Sequence, residues 1–171
     1  MVTVRFEIPD DVAEIRRINE LAFGSPAEAD LVESLRARGM ATHSLVAEQD
    51  NRVVGHLLLS PVQIEQGAAD STLSALGLGP MAVLPELQRR GIGSALIKTA
   101  LDKCRNEGRD CVVVLGHAEY YPRFGFVPAS RLGLRCEYNV PDEVFMAIEL
   151  REGALAGHSG LVRYQPEFNE V

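Results

Sequence analysis

The run Gln88-Arg89-Arg90-Gly91-Ile92-Gly93-Ser94 stands between an apolar segment and an amphipathic helix. A loop that delivers arginine and glycine to a helix N-terminus offers bare backbone N–H groups and the positive end of the helix dipole, which together suit a pyrophosphate. Glycine has no Cβ to keep a ligand away from the backbone, and arginine neutralises phosphate oxygens. The chemistry implied is retention of a phosphorylated cofactor. A dinucleotide fingerprint would need a third glycine in register, where this chain has Leu96, and it would follow the first strand of a βαβ unit. A nucleoside triphosphate loop would need Gly-Lys-Ser/Thr, which does not follow.

Other chemically able residues are scattered. Cys104, Cys111 and Cys136 lack a metal-ligand spacing, and an odd count argues against a complete disulfide framework. Cys104 falls on an apolar helix face and Cys111 opens an apolar strand, so both read as small core residues; Cys136 stays open as a pocket-lining residue. No general base stands out. Glu86 reads as a solvated turn residue and His56 as a satisfied histidine within a sheet. Glu28 and Asp30 form either a solvated helix start or a pair of carboxylates for a cationic amine.

The elements that must carry these residues follow from periodicity. Val2, Val4, Phe6 and Ile8 alternate with polar neighbours over residues 2–8, a half-buried strand that Pro9 ends. Asp11 with Glu14 reads as a capping box with Asp in place of Ser or Thr, opening a helix through Ile15, Ile18 and Ala22. A second helix is predicted from Pro26 to about Arg38, stopped by Gly39. Strands at about 44–49 and 52–65 are joined by Asp50-Asn51, and 67–71 reads as a loop. Leu73–Val83 is a further strand, with Gly77 and Gly79-Pro80 predicting a bulge or bend. The helix after the glycine loop puts Gly93, Leu96, Ile97, Ala100, Leu101 and Cys104 on one face and ends at Gly108. Cys111–Leu115 is a continuous apolar run, the mark of a strand covered on both faces. A short helix around 119–124, a strand near Phe126 and a strand over 144–150 follow. The tail from Arg151 reads as loop with one short strand near Leu161–Tyr164.

The loop fits the pattern [Arg/Gln]-x-x-Gly-x-[Gly/Ala] and resembles the acetyl-CoA motif of the GNAT acetyltransferases. The likeness is wider: the order β-α-α-β-β-β-α-β-α-β-β is that superfamily's, and Leu78-Gly79-Pro80-Met81-Ala82-Val83-Leu84-Pro85 resembles its fourth strand. Tyr121-Pro122-Arg123-Phe124-Gly125-Phe126 is similar to its Tyr-x-x-x-Gly-Phe signature, and together these cover roughly residues 1–150. The chain most resembles a bacterial subgroup whose acceptors are largely unassigned. The fold so implied is α/β of the α+β type, a mixed, mostly antiparallel central sheet flanked by helices. It would form a single domain over 1–171, with 151–171 as a C-terminal extension.

The resemblance also implies roles. Acetyl-CoA would be the cosubstrate, with no metal. Met81 and Val83, with Ala82 between them, would pair through the backbone with the pantetheine arm like an added strand. Gln88, Arg89, Arg90, Gly91, Ile92, Gly93 and Ser94 would form the cofactor loop, the N–H groups from Arg89 to Ser94 holding the pyrophosphate. The amide at about Val83 would support the oxyanion, and Tyr121 would protonate the departing sulfur. Tyr120 would point elsewhere. His117 stands where the family often has an asparagine on the cofactor; a surface cap is the competing reading. The function implied is transfer of an acetyl group from acetyl-CoA to a primary amine by direct attack in a ternary complex. A non-catalytic acyl-CoA-binding sensor and a nicotinamide-dependent oxidoreductase are the alternatives.

Composition narrows the partners. With 171 residues, 46% hydrophobic and 24% charged, the chain fits an ordinary globular protein with a sizeable core. A net charge of −7 argues against a nucleic-acid binder and is weakly compatible with a cationic small molecule. No apolar run approaches the roughly 20 residues that span a bilayer, and the N-terminus lacks a signal pattern. A cytoplasmic enzyme acting on a small-molecule or peptide amine is expected. Homodimerisation through the later strands stays open.

Overall fold

Alternating apolar residues build β1 (Thr3–Phe6), and Pro9 turns the chain into α1 (Val12–Phe23). Gly24, at φ +74, closes that helix with its amide on the Glu20 carbonyl, and α2 (Ala27–Ala37) follows. Next come β2 (His43–Gln49), β3 (Arg52–Pro61), β4 (Gln63–Gln66), β5 (Ala69–Asp70) and β6 (Ala75–Val83). Then α3 (Ile92–Asn106) leads into β7 (Cys111–Leu115), β8 (Val127–Pro128), β9 (Leu134–Cys136), β10 (Phe145–Glu149) and β11 (Gly160–Arg163). The computed structural model describes residues 1–67, 69–70 (backbone only) and 72–171. The chain divides into two units: Met1–Ser60 with Gly79–Ala100 and Pro166–Val171, and Pro61–Leu78 with Leu101–Gln165.

In the first unit the strands run in the order β1-β2-β3-β6. β1 and β2 are antiparallel from Thr3↔Glu48 to Phe6↔Leu45. Asp50 and Asn51 both take left-handed φ, 52° and 61°, and make the two-residue turn that closes β2 on β3. Strand alternation then decides what lies on each face. A Cβ at Gly55 would lie 3.1 Å from Ile92 and 3.2 Å from Leu96, so that residue faces α3. Its neighbour His56 reaches Asn19 of α1 on the opposite face. Ile15, Ile18, Leu35, Leu45, Leu57 and Leu96 are almost wholly buried, each worth about 1.5–3 kcal/mol of burial.

In the second unit one sheet runs β6-β7-β10-β8 and another β5-β4-β11-β9. β6 and β7 are parallel over Ala75↔Cys111 to Leu78↔Val114, while β10 is antiparallel to both β7 and β8. Cys111 to Val114 are fully buried, as their unbroken apolar character predicts. In the other sheet β11 is antiparallel to β4 and parallel to β9.

Several expectations are corrected. Asp11 does not cap α1 through its side chain: it accepts the Ile8 amide at 2.8 Å and pairs with Arg5 at 2.8 Å, while Glu14 pairs with Arg17. The strand expected over 52–65 is two strands in different sheets, because Pro61 has no N–H to continue a ladder. Gly77 stands opposite Val113 with no register shift in the β6–β7 ladder; its missing side chain clears the Tyr164 ring, 2.9 Å from where a Cβ would lie. Within the loop expected over 67–71, Ala69 and Asp70 pair with β4, and residues 68 and 71 lie outside those described. Among the described residues no helix is long and apolar enough to cross a membrane.

Candidate active site

The first unit holds β6 beyond Leu78 and the loop that follows it. Pairing with β7 stops at Leu78 among the described residues, yet β6 runs on to Val83. The Leu84 amide donates to the Val54 carbonyl at 3.0 Å, toward β3. Alternation along an extended strand then turns the backbone groups of Val83 and Met81 to the side away from β3, with Ala82 facing β3 between them. The expected pairing positions therefore share one edge. Val83 and Ala82 are buried, so the strand is core on its faces, and among the described residues its ladder with β7 does not extend along the Met81–Val83 edge.

After Leu84 the chain makes a single turn of 3-10 helix, Pro85–Leu87, and enters the loop. Arg89 and Gly91 take left-handed φ of 64° and 86°, which curls successive amides toward a common point. The Gly91 carbonyl accepts the first helical hydrogen bond, from Ala95 at 3.0 Å, so the amides of Ile92 and Gly93 lie ahead of the α3 ladder. Ser94 follows in the same first turn. A Cβ on Gly91 would meet no atom within 4 Å. Arg89 and Arg90 are exposed and form no ion pair among the described residues, whereas Arg5, Arg16, Arg36 and Arg38 are all committed to carboxylates. Amides, dipole and uncommitted guanidiniums form the donor set a pyrophosphate requires. Gln88 works differently from its neighbours: its side-chain amide donates to the Val83 carbonyl at 3.1 Å and ties the loop to the strand end.

Tyr121 and His117 belong to the second unit. Tyr121 opens a 3-10 turn, Tyr121–Phe124, closed by Gly125 at φ +103. Its ring is buried, edge-on to Phe126 at 5.6 Å and to Tyr120 at 5.2 Å. Burial, with a smaller contribution from Tyr120, raises the phenol to about 12, so it remains a proton donor at neutral pH. Tyr120 turns toward Phe124 and lies under the Arg123 guanidinium. The His117 side chain is exposed, and its carbonyl accepts the amides of Tyr120 and Tyr121 at 3.1 and 3.4 Å.

Asp30, its side chain 62% exposed, pairs with Arg16, which also binds Glu20 and Glu33. His56 lies 2.8 Å from Ser44 Oγ, and that hydroxyl bonds Glu7, which Arg36 grips at 2.8 and 3.0 Å. Burial lowers His56 to about 4. Burial opposes ionisation of Glu7 as well, but hydrogen bonds from Arg36 and Ser44 outweigh it and keep the carboxylate below its usual range. Burial raises the Cys104 and Cys111 thiols to about 11 and about 12, which fits inert core residues. Two residues escape a reading of the sequence: Gln88 as a clamp on Val83, and Gly116, which packs under the Tyr121 ring. A glycine directly after an apolar strand and shortly before Tyr-Tyr-Pro is the signal available for the second.

Known proteins resemble this chain in sequence and fold. A family model for the acetyltransferase (GNAT) domain matches residues 3–129. The uncharacterised N-acetyltransferase YhbS of Escherichia coli K12 is 36% identical over 167 residues, 97% of this chain and 98% of that protein. YjhQ of the same strain, another uncharacterised N-acetyltransferase, is 39% identical over 163 residues, 90% and 89% of the two chains. The crystal structure of E. coli YhbS in complex with CoA matches at a TM-score of 0.92 and 36% identity, covering 98% of this chain and 92% of that one. A GNAT family acetyltransferase from Brucella melitensis in complex with acetyl-CoA matches at 0.80 and 36% identity, covering 98% of each. The glycine loop, the strand before it and the tyrosine turn thus sit in a chain that belongs to the GNAT acetyltransferase family.

Proposed function

We propose that this chain binds acetyl-CoA and transfers its acetyl group to a primary amine by direct attack in a ternary complex, as one catalytic domain in the cytoplasm. The observation that carries the reading is the joined pair of surfaces in the first unit: a β6 edge at Met81 and Val83 beyond the end of the β7 ladder, and the Arg89–Gly93 amides that Gln88 ties to it. A CoA complex of a 36% identical relative supports it. Acetyl-CoA supplies the activated thioester. Loop amides and the two free arginines hold its pyrophosphate, and Met81 and Val83 extend β6 with the pantetheine arm. The Val83 amide donates to the thioester oxygen as charge builds there. Tyr121, protonated because it is buried, gives its hydroxyl proton to the departing sulfur. No side chain is assigned as base; water removes the amine proton. His117 contributes to cofactor contact through its exposed ring.

Calorimetric titration of acetyl-CoA tests the binding half. Free-thiol release tests the transfer half, against a panel of spermidine, an aminoglycoside, amino acid amides, a peptide with a free N-terminus and a lysine peptide. Binding with turnover supports the reading. Binding without turnover across the panel overturns the transferase assignment in favour of an acyl-CoA sensor, and absence of binding overturns both. Tyr121→Phe lowers kcat by about 10²-fold or more with little change in KM for acetyl-CoA, the signature of an interaction made in the transition state.

A further inference from the structure

We propose that Gly116 is a positioning residue for Tyr121: the side chain it lacks is the space the phenol ring fills, and filling that space moves the hydroxyl out of line for proton donation. The inference rests on the reading of Tyr121 as the donor to the departing sulfur. A Cβ built on Gly116 would overlap Cε2 of Tyr121 and stand 2.9 Å from Cδ2 and 3.2 Å from Cζ, the carbon that bears the hydroxyl. Gly116 has no left-handed φ. An alanine backbone fits there as it stands, so what glycine provides is room.

The backbones of both partners are held in place. The Gly116 amide donates to the Val144 carbonyl at 2.9 Å, and Leu115 before it is paired with Phe145 at the end of the β7–β10 ladder. The Tyr121 backbone is held by its amide on the His117 carbonyl at 3.4 Å and by the turn that Gly125 closes on Pro122 at 3.0 Å. Its ring is walled by Phe126 at 77° and Tyr120 at 83° between planes. The residue that yields to a methyl at position 116 is therefore the ring itself. It must withdraw by roughly 1 Å, a displacement of a reacting group that costs about 10²-fold in rate.

Three enzymes, wild type, Gly116→Ala and Tyr121→Phe, are compared with the double variant, using the panel amine that gives the fastest thiol release. Expected is a fall in kcat of about 10–100-fold for Gly116→Ala, with acetyl-CoA affinity by calorimetry within about twofold of wild type. The double variant falls no lower than Tyr121→Phe alone, because both changes remove one function. Full kcat in Gly116→Ala beside a slow Tyr121→Phe overturns the positioning role and leaves the tyrosine's role standing. Full kcat in Tyr121→Phe overturns the donor reading and the positioning role with it. Melting temperatures decide the steric premise independently, even if Gly116→Ala accumulates poorly. Gly116→Ala lowers Tm when Tyr121 is present and leaves it unchanged in a Tyr121→Ala background; an equal loss in both backgrounds overturns the inference.

Discussion

Replacing Gly91 with alanine separates what the loop does for the fold from what it does for the cofactor. Gly91 holds φ +86, and a Cβ there would meet nothing within 4 Å. The cost to folding is therefore the left-handed backbone alone, about 1–2 kcal/mol with no clash to add. For a chain of this length that lowers Tm by roughly 2–8 °C. The cost to binding is of another kind. A methyl there meets open space beside the amides of Ile92 and Gly93, which precede the helical ladder, and it stands in the way of a ligand that approaches them. Each hydrogen bond from such an amide to a charged oxygen contributes about 1.5–3 kcal/mol, so losing one weakens binding about 10–150-fold. Titration calorimetry with CoA, run beside thermal melts of the same samples, reads both quantities. A folded Gly91→Ala protein that binds CoA within about twofold of wild type would refute the assignment of this loop.

The acid side of the stability profile should report His56. Burial holds it at about 4, against about 6.5 in an unfolded chain, so the unfolded state binds more protons in that window and stability falls as pH drops through it. Between pH 7 and 5 the loss is about 2 kcal/mol. Urea midpoints should show that slope in wild type and not in His56→Gln, and equal slopes would show that the histidine is not held neutral. Gly55→Ala puts a methyl 3.1 Å from Ile92, 3.2 Å from Leu96 and 3.3 Å from the Ala82 carbonyl. That costs about 1–3 kcal/mol and weakens CoA binding through the start of α3; an unchanged Tm would mean the helix gives way freely. With its phenol raised to about 12, Tyr121 produces no falling limb in kcat below pH 10. A limb centred near pH 9 that vanishes in Tyr121→Phe would contradict this.

What could be read from the chain was whatever has a local cause. The apolar run from Cys111 predicts a strand covered on both faces, which holds for Cys111 to Val114 while Leu115 at its end is exposed, and Asp50-Asn51 predicts a tight turn because both tolerate left-handed φ. The start of α3 could be read because glycines mark the turn into an amphipathic helix. The β5-β4-β11-β9 sheet could not. Its strands are two to four residues long, too short for periodicity, and Val162 finds Ile64 and Cys136 only through the fold. Asp11 misled for a related reason: the capping pattern is local, and the Arg5 guanidinium that takes its carboxylate arrives from another strand. The turn at Tyr121 was legible from its motif, whereas the packing of Gly116 against the ring was not, since it depends on where that ring lies in space.

The hydrogen bond from Gln88 to the Val83 carbonyl makes one thermodynamic body of the phosphate loop and the strand end. Any ligand that orders the loop also steadies the carbonyl at Val83, and by reciprocity anything that orders the strand end improves the loop. Nucleotide fragments that carry the phosphates without the pantetheine arm would thereby quiet the β6 terminus they never touch.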